Sequence, residues 1–240
     1  MGPYIGFPAV IWANGCSFID FFDVGIYIYT MENLRPPFII SIYGKPASGK
    51  SHLMKYILCR MRAENKIDIL FVFTSTKKND FYNDMVDTKY VMRYNEKLLT
   101  QFWKKAEAIS HRGKNILLVF DDCIGSVNWK APIVDEVFSN HRHNNVSILV
   151  ATQYPNKLPT LIREVSWMGC IFKQATKWSR KAVHDSYGED YGSVKEFVDY
   201  MNSLPEYGFI CVDTCKGGPD KYKKMKAPAK ILRFYYGNNI

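Results

Sequence analysis

Eight consecutive residues, Gly44-Lys45-Pro46-Ala47-Ser48-Gly49-Lys50-Ser51, constrain the fold of this chain more than any other feature. They fit GxxxxGK[ST] at every fixed position, a pattern that needs a strand before it and a helix after it. Phe38 to Tyr43 is a continuous apolar run and reads as a buried strand. Ser51 to Arg62 reads as a helix, with Leu53, Met54, Ile57, Leu58 and Met61 on one face. Strand, glycine-rich turn and helix in that order form a phosphate-binding loop. Its backbone N–H groups point inward at phosphate oxygens, and the positive end of the helix adds to the attraction. Gly44 and Gly49 permit the backbone angles and the close approach that this needs. Lys50 is expected to reach the β- and γ-phosphates of ATP, and the Ser51 hydroxyl to ligate Mg²⁺.

The segments that follow alternate. Ile67 to Phe73 reads as a second buried strand, Lys97 to Ser110 as an amphipathic helix closed by Gly113, and Ile116 to Phe120 as a third strand. Ile133 to His141 reads as a helix, Val146 to Ala151 as a fourth strand and Met168 to Phe172 as a fifth. Ser179 to Ser186 and Val194 to Ser203 look helical, and Phe209 to Val212 and Ile231 to Tyr236 look like two strands joined by a basic loop. Strands alternating with helices predict an α/β protein: a RecA-like P-loop NTPase fold with a mostly parallel sheet flanked by helices and a C-terminal strand pair. Residues 31–240 read as one domain.

Three further features carry chemistry. The third strand delivers Asp121 and Asp122 at its C-terminal end, where open parallel sheets bind ligands. Asp121 is expected to hold Mg²⁺ and Asp122 to position and polarise the attacking water. The fourth strand ends in Thr152 and Gln153, next to the Asp strand in a plausible sheet; the Gln153 amide there can hydrogen-bond the γ-phosphate or its attacking water. Arg142 lies between these strands, within Asn140-His141-Arg142-His143-Asn144. An arginine in such a loop can reach a neighbouring subunit's nucleotide, or simply sit in solvent. His141 and His143 read as ordinary loop residues.

Charge points to an anionic partner. The chain carries 32 Lys and Arg against 23 Asp and Glu. Much of the excess is in Lys216, Lys221, Lys223, Lys224, Lys226, Lys230 and Arg233, which suits contact with a phosphate backbone. The six cysteines form no CxxC pair and read as reduced thiols of an intracellular protein. Residues 4–30 are apolar and aromatic, but Asn14, Asp20 and Asp23 interrupt them, so no clean membrane span is expected. The first basic residue is Arg35, which argues against a signal peptide. Residues 1–30 are set aside as an apolar leader expected to be dispensable, since Met31 opens a plausible start.

Taken in order, the phosphate loop, the Asp-Asp strand, the run Ser139 to Leu149 with its Arg-His loop, and Gln153-Tyr154 resemble the poxvirus-type viral DNA-packaging ATPases of the FtsK/HerA superfamily. The resemblance runs from about Pro37 to Pro159, and more loosely to the C-terminal strand pair. It implies an oligomeric ring, ATP-driven translocation of double-stranded DNA, and packaging of a viral genome into a capsid. It further implies capsid or portal-vertex partners and a location in the cytoplasm or nucleus of an infected host cell, or in the virion. Many motors of the superfamily use Glu as the second acid, where this chain has Asp122. Two other classes remain open on residues alone. One is a different P-loop nucleic-acid ATPase, such as a helicase loader or replication ATPase. The other is a nucleoside or nucleotide kinase, for which Arg163 and Arg180 form no clear lid. A non-enzymatic nucleotide-binding module is disfavoured by intact Lys50, Ser51, Asp121 and Asp122.

Overall fold

The computed structural model describes residues 34–75, 80–82, 90–123 and 125–227. The apolar leader and the expected strand Ile231 to Tyr236 lie outside them. The phosphate-loop strand β1 (Ile39–Tyr43) is buried along its whole length and is followed by helix α1 (Lys50–Ala63). Next come β2 (Ile69–Thr74), a short turn at Asp80–Tyr82, β3 (Val91–Arg93), α2 (Glu96–Ser110), β4 (Ile116–Asp121) and α3 (Pro132–Asn140). Then follow β5 (Val146–Thr152), α4 (Thr160–Val165), β6 (Met168–Phe172), α5 (Lys177–Tyr187), α6 (Val194–Asn202), β7 (Gly208–Asp213) and β8 (Tyr222–Lys226).

Among the described residues these strands form one sheet of eight, in the order β3-β2-β4-β5-β1-β6-β7-β8. Pairing is parallel from β3 to β6; β7 and β8 are added antiparallel at one edge. The α/β fold and mostly parallel sheet expected from the sequence are therefore present. The apolar runs are continuous because both faces are covered, and the side-chain period of two divides each run between them. Ile116, Leu118 and Phe120 of β4 join one core with Val146, Ile148 and Val150 of β5. Leu117, Val119, Leu149 and Ala151 join the other. Of the described helices, α1 alone packs into this second core, through Leu53, Met54, Ile57, Leu58 and Met61. Helices α2 to α6 contribute to the first. Burying each such aliphatic side chain contributes about 1.5–3 kcal/mol, so the phosphate-loop helix is clamped by its own apolar stripe.

The C-terminal strand pair differs from its expected form. The partner of β7 is Tyr222–Lys226, which lies inside the stretch read as a connecting loop. Its basic residues hid the strand: Tyr222 and Met225 are buried, whereas Lys224 and Lys226 face solvent, as an edge strand allows. Strand β2 begins at Ile69, two residues later than the apolar run suggested. Strand β3 and helix α4, with three and six residues, are too short to establish a period in the sequence.

Candidate active site

Register brings the chemistry to one edge of the sheet. Tyr43 pairs with Thr152, Ala151 with Asp121, and Asp121 with Thr74, so β1, β5 and β4 end side by side. Strand β5 stands between the phosphate-loop strand and the acidic strand, which puts Gln153 between Lys50 and the two aspartates.

The loop leaves β1 with the Gly44 N–H donating to the Thr152 carbonyl at 3.2 Å. A Cβ on Gly44 would lie 2.5 Å from Ser48 Oγ and 2.8 Å from Phe172 Cβ, so only glycine fits this turn. Gly49 takes φ 102° and caps α1 without any side-chain hydrogen bond. By contrast, α2, α5 and α6 are capped by Asn95, Thr176 and Ser193. The first-turn N–H groups of α1 thus remain free for an anion. Ser48 Oγ is buried with no hydrogen-bond partner among the described residues. Gly49 is walled by Phe172, Tyr207 and Ala227.

Lys50 is 8% exposed, and its Nζ donates to the carbonyls of Gly44 at 2.7 Å and Lys45 at 2.9 Å. Burial lowers its pKa, while Asp122 and Asp121 act in the opposite direction. Ser51 lies exposed at the start of α1. The Asp121 carboxylate is buried at the end of β4 and accepts a hydrogen bond from the Tyr82 hydroxyl at 2.9 Å. Burial pushes its pKa up, and the neighbouring Asp122 adds to that; Tyr82 and Lys50 hold it down. Asp122 adopts φ 50°, with its N–H on the Ala151 carbonyl at 3.0 Å. Its carboxylate accepts from Gln153 Nε2 at 2.6 Å. A left-handed aspartate is tolerable, and here it turns the second acid off the strand line toward Gln153. The adjacent Cys123 thiol is pushed up to about 12 by burial and the nearby carboxylates, so it stays protonated near neutral pH.

Arg142 lies elsewhere. The loop after α3 closes with Val146 N–H on the His141 carbonyl, so it sits where β5 begins, not where it ends. Seven strand residues separate Arg142 from Gln153, roughly 20 Å at the rise of a strand. Exposed Arg142 lines a cavity of about 220 Å³ with Arg35, Phe38, His141 and Trp167. His141 is buried rather than an ordinary loop residue, with Nδ1 2.9 Å from the Val146 carbonyl and a pKa lowered by burial. The lysines of the C-terminal hairpin are partly tethered. Lys221 pairs with Asp190, and Lys224 donates to Ser203 while lying over the Tyr200 ring.

Sequence reasoning missed Tyr82, Phe172 and Tyr207. Tyr82 arrives from a separate turn, and nothing in its spacing points at Asp121. Phe172 was legible only as the end of a strand.

The family model described as Poxvirus A32 protein matches residues 28–178. Protein 088R of Invertebrate iridescent virus 3 is 27% identical over 174 residues, which cover 69% of this chain and 64% of that protein. Protein 015R of Frog virus 3 (isolate Goorha) is 29% identical over 119 residues, covering 47% and 37% respectively. This chain thus spans less than two thirds of the length of either relative. Among solved structures, the genome packaging NTPase B204 from Sulfolobus turreted icosahedral virus 2, in complex with AMPPCP, superposes with a TM-score of 0.63 at 19% identity. The match covers 81% of this chain and 100% of B204, and shows the shared P-loop NTPase fold. No described helix is long and apolar enough to cross a membrane.

Proposed function

This chain belongs to the poxvirus A32 protein family, and from that premise we propose that it is an ATP-hydrolysing motor that moves double-stranded DNA to package a viral genome. One observation carries the reading: adjacent strands β1, β5 and β4 deliver Lys50, Gln153 and the Asp121–Asp122 pair to one sheet edge. B204, which shares the fold, is a genome packaging NTPase solved with AMPPCP bound, and this supports the same assignment here.

Gly44, Lys45, Pro46, Ala47, Ser48, Gly49, Lys50 and Ser51 cradle the phosphates. The uncapped start of α1 and the missing Cβ of Gly44 suit that role. On binding, Lys50 Nζ exchanges two backbone carbonyls for the terminal phosphates. Ser51 and Asp121 offer the oxygen ligands that Mg²⁺ takes. When bound, that ion neutralises charge developing on the phosphate oxygens. Asp122 orients and polarises the attacking water, and Gln153 holds the Asp122 carboxylate in place for it. Arg142, at the far end of the strands, is remote from this chain's own site, which favours action on a neighbour's nucleotide in a homo-oligomeric ring. The exposed lysines of the β7–β8 hairpin contact the DNA backbone, and capsid or portal-vertex proteins anchor the ring. The setting is a virus-infected cell, with assembly in its cytoplasm or nucleus and retention in the virion as the finer proposal.

The test is ATP turnover by purified protein with and without double-stranded DNA. Mg²⁺-dependent turnover that DNA stimulates and Lys50→Ala abolishes is expected. Phosphate transfer to a nucleoside, with no effect of DNA, would overturn the motor reading in favour of a kinase.

A further inference from the structure

We infer that Tyr207 is the stacking platform for the base of the bound nucleotide, a flat purine; this rests on the ATP-binding reading of the phosphate loop. Three independent features of Tyr207 point the same way.

The first is position across the sheet. Running from β4 through β5, β1 and β6 to β7, the two acids stand on one side of the phosphate loop and Tyr207 on the other. The acids and Lys50 belong at the reacting, terminal phosphate. The opposite flank is therefore left to the ribose and base. Tyr207 immediately precedes β7, and β7 begins at the phosphate-loop edge because Gly208 follows Phe172 across the β6–β7 ladder. A Cβ placed on Gly49 would lie 3.5 Å from Tyr207 Cβ, 3.3 Å from Phe172 Cε1 and 3.3 Å from Ala227 Cβ. The N-terminus of α1 thus opens beside an apolar wall.

The second is exposure. Tyr207 is 47% exposed, although it adjoins a core containing Phe172 and Phe209. Among the described residues it enters no aromatic pair, whereas the rings of Tyr191, Tyr200 and Tyr222 are all so engaged. A large aromatic surface beside the phosphate loop is left available.

The third is backbone strain. Gly208 N–H donates to the Pro205 carbonyl at 3.0 Å, closing a four-residue turn, and Tyr207 occupies its third position with φ 57°. Turns with positive φ there favour Gly or Asn. A bulky aromatic in this region is an outlier that persists only where the surroundings hold it, and such outliers cluster at ligand clamps. Here the Tyr207 carbonyl is held by the Ala227 N–H at 2.9 Å. Packing does not explain the choice of tyrosine, since nearly half of the residue is open; a stacking partner does.

Base–aromatic stacking is tolerant of base identity, and its loss costs about 5- to 140-fold in affinity per base. Calorimetry on the full chain would compare ATP with inorganic tripolyphosphate. Wild type is expected to bind ATP more tightly than tripolyphosphate. Tyr207→Ala should weaken ATP by about 5- to 140-fold and leave tripolyphosphate unchanged, while Tyr207→Phe keeps both. Tyr207→Gly should lose the same affinity yet unfold at a temperature no lower than wild type, because glycine relieves the turn. A scaffold residue would not separate these readouts. Unchanged ATP binding by Tyr207→Ala, or equal weakening of ATP and tripolyphosphate, overturns the platform. If wild type binds both ligands equally well, the platform falls while the phosphate loop stands; if it binds neither, both fall.

Discussion

The same three strands, β1, β4 and β5, carry opposite chemistry at their two ends. At the C-terminal end four polar side chains are engaged within the chain, whereas Ser48 Oγ has no partner among the described residues. Lys50 rests on the Gly44 and Lys45 carbonyls, Asp121 receives Tyr82, and Asp122 receives Gln153. At the N-terminal end the backbone is tied, with Asn145 N–H on the Arg142 carbonyl. The Arg142 guanidinium itself makes no hydrogen bond or ion pair to a described residue, and Arg35 shares its cavity. One end holds its lysine, its two acids and its glutamine in place; the other leaves Arg142 exposed. In a parallel sheet this polarity follows from the crossovers, since every strand enters from one edge and leaves at the other.

The strongest way to break this contrast is to disable the C-terminal end. Lys50→Ala should reduce ATP turnover to background and weaken nucleotide binding, measured by phosphate release and by calorimetry. Asp122→Asn should retain binding and lose about 10²- to 10⁴-fold in turnover. If Asp122→Asn instead binds ATP poorly, Asp122 has a binding role and the two acids are wrongly divided.

The far end is tested next. Arg142→Ala should bind ATP normally and lose about 10³-fold in turnover. Mixing it with Lys50→Ala protein should restore part of the activity, because an intact Lys50 and an intact Arg142 then meet between chains. Weakened ATP binding in the Arg142→Ala protein alone would mean that the two ends communicate within a chain.

A smaller effect sharpens the near end. Tyr82 donates to ionised Asp121 and so favours the charged form. Tyr82→Phe should therefore raise the Asp121 pKa further. Activity is lost as pH falls through that value, so the acid limb of the pH–rate profile should move to higher pH. Mg²⁺ affinity should drop by about tenfold, in keeping with loss of one hydrogen bond to a charged group. An unmoved acid limb would show that Tyr82 only packs.

The smallest effect concerns the hairpin. Neutralising Lys221, Lys223, Lys224 and Lys226 should leave basal turnover intact. It should also flatten the salt dependence of DNA binding, by about one log–log unit for each phosphate that is no longer neutralised. Lys226 is exposed, whereas Lys221 and Lys224 have partners within the chain, so Lys226→Gln should account for more of that change than Lys221→Gln.

Much of the near end was legible because its signals are local. Gly44, Gly49, Lys50 and Ser51 act through a few contiguous backbone angles, and Asp121 and Asp122 follow directly from an apolar run. Gln153 was legible as a strand end, though its contact with Asp122 was not. Strand β8 was hidden because lysine at alternate positions of an edge strand reads as loop. Tyr82 was invisible because its partner is 39 residues away in sequence.

Sequence alone determined the strand–loop–helix that is expected to bind phosphate, which residues line that loop, and that two acids stand at another strand's end. These are properties of short segments, set by sterics and by the need to bury an apolar run. Tertiary structure alone decided that β5 lies between β1 and β4, that Arg142 stands at the sheet edge opposite its own phosphate loop, and that Tyr207 flanks Gly49. Each depends on which strands pair and in which direction, and that is settled by covering both faces of the sheet through contacts between residues far apart in the chain.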